Sequence, residues 1–213
     1  MNRQPFYDHV AARLFKGSLP AWQKDPLDRI LDEALRRVRR VEDCAYVMAT
    51  AYHETARFKY DSEIGEGKGH DYGEPIWLIR GVPVAYFGRG MVQLTWLSNY
   101  AKMSVFLTME HGRQIDFVNK PELATEPEYS SLIIWEGMIR GMFTGKNLAD
   151  YINEDGVDYV NARRIVNGTD KAEMIAGYAR EFEAGLRLLD DSEPEATKCP
   201  LKNQTCPLNR VPA

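Results

Sequence analysis

The stretch that decides the fold comprises AYHETA at residues 51–56, SEIGEGKG at residues 62–69 and YFGRGMVQLTW at residues 86–96, with Asn99 and Tyr100 after it. The first segment closes an apolar, alanine-rich run with helical spacing. The second is a loop with glycines at alternate positions, and the third is a turn framed by glycines. The pattern predicts a helix that ends at a polar loop, with further polar side chains after a turn.

Helical periodicity dominates the rest of the chain, so we expect a mainly α fold. The runs 76–79 and 82–87 favour β-structure and predict a small hairpin that turns at Arg80-Gly81. The helix over residues 42–55 is rich in small residues, which allow close packing, and is expected to be central. The predicted helices cover residues 6–15, 25–38 (with Asp25 as the cap and Pro26 at the first position), 42–55, 91–107, 129–143, 158–166 and 170–189.

The organisation of the chain changes at Leu189. A length of 213 residues suits one well-buried core, so a single domain is the default. Beyond Leu189 the composition is acidic and interrupted by proline, and a Cys-Pro-Leu sequence occurs at residues 199 and 206. We therefore predict one folded domain over residues 1–189 and a flexible tail over residues 190–213.

Bulk properties exclude several classes of function. The net charge of −4 gives no general attraction for nucleic acid, and no apolar run is long enough to cross a bilayer. The N-terminus lacks the apolar core of a signal peptide, so we expect the chain to be made in a cytoplasm. We further expect a monomer with no nucleic-acid or membrane partner. Three cysteines in such a chain do not support a disulfide framework, and Cys44 is expected to be buried in its apolar helix.

Glu54 is the first candidate for a catalytic group, because it ends the predicted central helix, whose other residues are largely small or apolar. Partial burial raises the pKa of a carboxyl group, which suits a general acid, but a helix-terminal glutamate is as often simply solvated. His53 does not predict a metal site, because Arg57 stands where a His-Glu-x-x-His motif needs its second histidine. We therefore expect neither a metal nor a cofactor.

Glu63 is the second candidate and follows Glu54 by nine residues, beyond the end of the helix. Two carboxylates that face each other across a groove are the arrangement that cleaves glycosidic bonds. Glu66 is the alternative in the same loop, although solvation alone would also explain an acidic loop. The alternating glycines do not match a phosphate-binding loop, because no Lys-Ser/Thr pair follows them.

Polar side chains recur after the glycine-framed turn. If the helix begins as predicted, Gln93, Trp96 and Tyr100 lie on one face, with Asn99 beside them. Amide and hydroxyl groups next to an aromatic ring suit a sugar, although a mixed face is also ordinary at a helix start. A comparable polar set follows at Asn161, Arg164 and Asn167. Arg164 from that set is expected to lie close to a catalytic carboxylate.

Together these motifs resemble family 19 glycoside hydrolases, which include plant-type chitinases and lysozyme-like proteins of phages and bacteria. The resemblance covers roughly residues 5–189. The motifs are specific as an ordered set, although each alone is weak. They are His53-Glu54-Thr55, the Glu63 loop ending in Asp71-Tyr72, Tyr86-Phe87-Gly88-Arg89-Gly90-x-x-Gln93-Leu94-Thr95, Asn99-Tyr100 and Ile165-Val166-Asn167-Gly168.

The resemblance implies a lysozyme-like helical domain with a deep cleft and a small β-hairpin. It assigns Glu54 as the general acid, Glu63 as the general base and Thr95 as the residue that helps to hold the attacking water. The family inverts the anomeric centre, which needs carboxyl groups roughly 6.5–9.5 Å apart. Its sugar-binding amides correspond to Gln93, Asn99 and Asn167. We add as further candidate substrate-binding residues Tyr86, Tyr100, Arg164 and Glu66.

Departures from the plant enzymes place the chain nearer the phage and bacterial members. The connection between the two acids is shorter, the bracing cysteines are absent, and Asp170 is the only candidate for a charged residue of their arginine network. A more open cleft favours cell-wall peptidoglycan over chitin as substrate, cut at its β-1,4 bonds in the manner of an endolysin. A chitinase is the alternative enzyme, and a non-catalytic glycan-binding or virion protein is the alternative of another class. Retention of Glu54 and Glu63 argues against the latter.

Overall fold

The computed structural model of the protein describes residues 1–79 and 81–191, which form a mainly helical structure, as the sequence predicted. Its α-helices are α1 (Gln4–Leu14), α2 (Ala21–Arg36), α3 (Val41–Glu54), α4 (Leu97–His111), α5 (Pro127–Arg140) and α6 (Ala172–Asp191). Two strands, β1 (Trp77–Ile79) and β2 (Val82–Val84), pair antiparallel. Within the described ranges, no helix is both long enough and apolar enough to cross a bilayer.

Helix α3 is the centre of the fold, as its small residues predicted. All residues from 43 to 52 are buried, and the helix packs against α2, α5 and α6. Tyr52 of α3 meets Phe182 of α6 edge-on, with ring centroids 5.8 Å apart. Cys44 is fully buried, as predicted, and burial raises the pKa of its thiol. Because other helices surround α3, the backbone that carries its last residue, Glu54, is held in place by packing.

The start of α2 corrects the sequence-based prediction. Asp25 was expected to be the cap and Pro26 the first helical residue, whereas the helix begins at Ala21 and contains Pro26. The additional turn is supported from outside the helix, because the Gln23 side-chain amide donates a hydrogen bond to the Arg57 carbonyl oxygen at 2.7 Å. This tertiary contact offsets the backbone hydrogen bond that a proline inside a helix removes.

The start of α4 is a second correction. Helix was predicted from residue 91, but α4 begins at Leu97. The intervening segment folds back on itself, and Arg89 and Leu94 exchange backbone hydrogen bonds at 3.1 and 2.8 Å. The Met91 amide donates to the Ser130 hydroxyl of α5 at 2.7 Å. The pairing with Arg89 occupies the Leu94 amide and carbonyl that a helix starting at residue 91 would use, so the helix is delayed.

The predicted short helix over residues 158–166 is a 3₁₀ helix, Asn161–Ile165, rather than an α-helix. The predicted β-hairpin is present, but its strands are only three residues long, because the Tyr86 amide donates to the Tyr72 carbonyl oxygen instead of extending the ladder. Of the predicted turn, Arg80 lies outside the described residues. Helix α6 continues to Asp191, slightly past the predicted domain boundary, and the rest of the predicted tail lies outside the described residues.

Candidate functional site

The first part of the candidate site lies at the C-terminal end of α3. The Glu54 carboxylate accepts a hydrogen bond from Arg163 Nη1 at 2.6 Å, and this contact joins residues 109 positions apart. The Arg163 side chain is 4% exposed and that of Glu54 is 19% exposed, so the arginine is enclosed while the carboxylate reaches solvent. Arg163 Nε also donates to the Asp170 carbonyl oxygen at 3.3 Å. The arginine therefore fixes the carboxylate from the protein side.

The identity of this arginine corrects the sequence-based prediction by one position. Arg164 was expected beside a catalytic carboxylate, but Arg164 is exposed and its Nε contacts the Asn161 side-chain oxygen at 3.4 Å. The predicted charged partner, Asp170, contributes its backbone carbonyl rather than its carboxylate to Arg163. Two adjacent arginines look equivalent in the sequence, and only the packing of the 3₁₀ helix decides which of them is buried.

His53 lies half-buried next to Glu54 on the last turn of α3. Burial lowers the pKa of His53, and the positive charges of Arg163 and Lys171 act in the same direction. Among residues 1–79 and 81–191, no cluster of three or more His, Cys, Asp or Glu side chains is arranged to hold a metal ion. The chemistry available at the end of α3 is therefore that of a carboxylate, an imidazole and a buried guanidinium.

The second part of the candidate site is built around Glu63. One carboxylate oxygen accepts a hydrogen bond from the Tyr72 hydroxyl at 3.0 Å, and the other accepts one from the Gly88 amide at 3.1 Å. The Glu63 amide in turn donates to the Gly88 carbonyl oxygen at 2.8 Å. A carboxylate accepts hydrogen bonds and has none to donate, so two donors on its two oxygens define its orientation.

Two glycines of the loop after Glu63, Gly67 and Gly73, allow close packing of the backbone. A Cβ atom added at Gly73 would lie 2.0 Å from the Gly67 carbonyl oxygen, so the two backbones touch. This contact brings the loop against the segment that carries Tyr72 and thereby places its hydroxyl at Glu63. Close packing therefore accounts for Gly67 and Gly73, whereas Gly65 and Gly69 have open space at the Cβ position and adopt a positive φ that favours glycine.

The turn from Gly88 to Thr95 lies directly against the Glu63 loop. Gly90 donates its amide to the Asp61 carbonyl oxygen at 2.7 Å, and the Gln93 side-chain amide donates to the Gly90 carbonyl oxygen at 3.0 Å. A Cβ atom at Gly88 would lie 2.8 Å from Gln93 Oε1, so the Gln93 side chain packs directly on Gly88. The structure thus brings Gln93 next to the amide that binds Glu63.

Thr95 and Asn99 belong to the same region but partly satisfy each other locally. The Thr95 hydroxyl donates to the Gln93 carbonyl oxygen at 2.7 Å. The Asn99 side-chain amide donates to the Thr95 carbonyl oxygen at 2.9 Å. Both side chains are partly exposed. Because the Thr95 hydroxyl uses its hydrogen for Gln93, its oxygen is left to act as an acceptor.

Tyr86 and Tyr100 are corrections to the predicted substrate-binding set, because their side chains are buried, with 1% and 0% exposure. The Tyr86 hydroxyl donates to the Val118 carbonyl oxygen at 2.8 Å, and the Tyr100 hydroxyl donates to the Phe87 carbonyl oxygen at 2.7 Å. Burial raises the pKa of Tyr100 to about 12. Both side chains therefore lie in the core, where their hydroxyl groups bind backbone carbonyls, and neither offers a surface to a ligand.

The remaining predicted residues lie on the surface around these two parts. Asn167 is exposed, and its side-chain oxygen accepts the Gly168 amide at 2.8 Å. Glu66 is exposed and borders a cavity of about 430 Å³ between the β-hairpin and the 3₁₀ helix Pro121–Thr125. Glu63 and the Gly88–Thr95 turn are in direct contact, whereas Glu54 is joined to the 161–170 segment.

Sequence reasoning missed Arg163 and the contacts that Tyr72 and Gly88 make with Glu63. The alternation of buried and exposed residues around Arg163 follows a 3₁₀ helix and carries no helical period of 3.6 that a sequence pattern would reveal.

No protein-family model matches this chain, and no curated protein matches it. Its function is therefore inferred from the geometry of these two parts and from the motifs that they contain.

Proposed function

We propose that the protein is a glycoside hydrolase of the lysozyme-like, phage and bacterial branch of family 19, which cleaves β-1,4 bonds of bacterial peptidoglycan. The observation that carries the proposal is the Glu63 carboxylate, oriented by Tyr72 and Gly88 beside the Gly88–Thr95 turn. A surface glutamate with only a solvation role does not need a phenol and a backbone amide to hold both oxygens. A general base must deprotonate a water molecule from one direction, and it therefore needs a carboxylate with a fixed orientation.

Glu63 takes the role of the general base in this proposal. A water molecule between Glu63 and the anomeric carbon loses its proton to the carboxylate while its oxygen attacks the carbon from the face opposite the leaving group. Thr95, with its hydroxyl oxygen available as an acceptor, helps to hold that water. Gln93 and Asn99, which lie in the same turn and at the start of α4, contact the sugar.

Glu54 takes the role of the general acid and gives its proton to the glycosidic oxygen as the bond to the anomeric carbon breaks. Its 19% exposure lets a substrate reach one side of the carboxyl group, while Arg163 holds the other. Arg163 is thus a positioning residue. The proposal includes a deep cleft between the end of α3 and the Glu63 loop, in which a glycan strand lies with the scissile bond between the two acids.

Peptidoglycan is the preferred substrate because only a short connection separates the two acids, which leaves room for a strand that carries peptides. The loop between residues 63 and 73 is compact, since Gly67 and Gly73 are in backbone contact, and this keeps it from covering the strand. A monomer that acts on the cell wall, with no cofactor, metal or nucleic acid, completes the proposal. A chitinase is the alternative enzyme and differs in substrate, not in the assigned acids.

The test is digestion of purified peptidoglycan and of chitin oligomers, with mass spectrometry of the products. Release of disaccharide–peptide fragments from peptidoglycan, faster than cleavage of chitin oligomers, is expected. Both Glu54→Gln and Glu63→Ala should abolish that release. Cleavage of chitin alone would make the protein a chitinase, and binding to walls without cleavage by the wild-type protein would refute the enzymatic proposal.

A further inference from the structure

An exposed aromatic side chain contacts Tyr72, the residue that donates a hydrogen bond to the Glu63 carboxylate. Trp96 is 48% exposed, and its ring meets the ring of Tyr72 edge-on at 5.4 Å between centroids. The Tyr72 hydroxyl donates a hydrogen bond to Glu63. The His70 ring stacks on the Tyr72 ring, with centroids 5.0 Å apart and an angle of 8° between the ring planes. Three rings, those of Trp96, Tyr72 and His70, thus form a continuous group that ends at a candidate catalytic oxygen. We name this group the aromatic platform.

The backbone of Trp96 gives no structural reason for a tryptophan. Its φ of 73° and ψ of 133° lie in a region that glycine occupies easily and that side chains with a Cβ atom rarely adopt. Its amide is fixed by a hydrogen bond to the Tyr86 carbonyl oxygen at 2.9 Å, which maintains this conformation. A non-glycine residue held in this conformation at a candidate functional site is better explained by a role in function than by folding.

The geometry points to a ring-stacking subsite, in which Trp96 of the aromatic platform packs on the apolar face of an N-acetylhexosamine ring bound next to Glu63. Tyr72, whose ring stands at 77° to the indole, borders the same sugar. This inference rests on the proposed function and adds a residue that the catalytic assignment does not use. The C–H face of a pyranose is apolar while its rim carries hydroxyl and acetamido groups, so an exposed indole beside the amides of Gln93 and Asn99 matches both surfaces. Trp96 would thereby determine affinity for the sugar and not the proton transfers.

The test measures binding of the tetramer of N-acetylglucosamine, a sugar common to peptidoglycan and chitin, by isothermal titration calorimetry in the Glu54→Gln background. Trp96→Gly removes the ring and suits the positive φ, so it should keep or raise the Tm. It should nevertheless weaken tetramer binding roughly 3- to 10-fold, the size of one aromatic stacking contact. Trp96→Phe should restore part of the affinity. Trp22→Ala, which removes a 55% exposed tryptophan of α2, should leave the affinity unchanged.

In the Glu54-containing enzyme, Trp96→Gly should raise KM for wall digestion by a similar factor and change kcat little. Wild-type affinity and KM in Trp96→Gly would overturn the inference, and so would a loss of affinity accompanied by a lower Tm and by no rescue in Trp96→Phe. Absence of tetramer binding by the parent protein would also overturn it. Failure of the proposed function is distinguishable, because it appears as no hydrolysis by the wild-type protein or as hydrolysis retained in Glu54→Gln, whatever the Trp96 variants do.

Discussion

The ion pair between Glu54 and Arg163 permits a prediction that separates the proposed catalytic role of the glutamate from its structural role. The Arg163 side chain is 4% exposed, so removal of its partner leaves a guanidinium that water reaches poorly. Breaking a buried pair in this way costs about 3–5 kcal/mol. Arg163 keeps its hydrogen bond to Asp170, and Glu54 is itself 19% exposed, so we expect about 2–4 kcal/mol for Glu54→Ala.

Glu54→Gln should be more stable than Glu54→Ala, but both variants should lose activity to the same extent. The amide oxygen of glutamine still accepts from the Arg163 guanidinium, so the buried cation keeps its hydrogen bond and loses only its counter-charge, and the loss should be about 1 kcal/mol. At about 2–4 °C per kcal/mol for a domain of this size, the Tm should fall by about 4–16 °C in Glu54→Ala and by about 2–4 °C in Glu54→Gln. Both variants lack the proposed proton donor and should lose at least about 100-fold in wall-lysis rate.

The assay combines thermal unfolding followed by circular dichroism with turbidity loss of purified walls. Glu128→Ala is the matched control, because it removes a glutamate paired with Arg113 in which both side chains are about half exposed. Exposed pairs contribute about 0–1 kcal/mol, so this control should retain its activity and nearly its Tm. More than half of wild-type activity in Glu54→Gln would remove Glu54 from the mechanism. Equal Tm values for the two Glu54 variants would refute the role given to the buried arginine.

Three further predictions concern the loop, the helix end and the tail. Glu63→Ala should lose most activity and recover part of it with azide or formate, whereas Glu66→Ala should lose little, since Glu66 is exposed; the reverse order in wall-lysis rates would exchange their roles. Burial holds the pKa of His53 below its ordinary 6.5, so its contribution to stability is full above that pH and is lost as the pH falls through the folded-state pKa. The Tm of His53→Gln should therefore decline less than that of wild type, or of the exposed control His111→Gln, between pH 7 and about pH 5. A chain that ends at Asp191 should keep the Tm and the activity on soluble glycan fragments of the full chain, and loss of either would show that residues beyond α6 belong to the domain.

Helices with a strong apolar pattern were predictable from the sequence, and those whose ends depend on distant groups were not. Helix α3 was found within a residue at each end, because its buried face is continuous and its packing is internal to the core. The start of α4 was placed about six residues too early, because the Ser130 hydroxyl of α5 holds the Met91 amide in a turn. Periodicity contains no information about a partner 39 positions away.

The candidate site shows the same division between local and distant information. Glu54 and Glu63 were selected from local features, a helix end and a loop, and neither feature depends on the rest of the chain. The burial of Tyr100 was missed because its position in a polar motif suggested a ligand contact, whereas its hydroxyl donates to the Phe87 carbonyl oxygen within the core. Arg163 was missed in favour of its neighbour, because choosing between them requires knowledge of which side of a 3₁₀ helix faces α3.

The arrangement around Gly88 connects the core to the candidate base in a chain of fixed contacts. The Tyr100 hydroxyl receives a hydrogen bond from Arg89 Nη1 at 3.1 Å and passes its own to the Phe87 carbonyl oxygen. Arg89 also lies over the Phe87 ring, 3.5 Å from its centroid, so the peptide before Gly88 is held from two sides. The N–H of this same Phe87–Gly88 peptide is the donor to Glu63.

A buried phenol and a nearly buried arginine thus determine where a surface carboxylate points. Substitution of Tyr100 by Phe should therefore affect catalysis through geometry, with kcat reduced more than KM, because the side chain touches no substrate. The ring remains and fills the same volume, so the free energy of unfolding should fall only by the contribution of one or two hydrogen bonds, about 1–2 kcal/mol. A measured kcat equal to that of wild type would mean that the Phe87–Gly88 peptide is held well enough by Arg89 alone, and that Glu63 does not depend on the core tyrosine for its orientation.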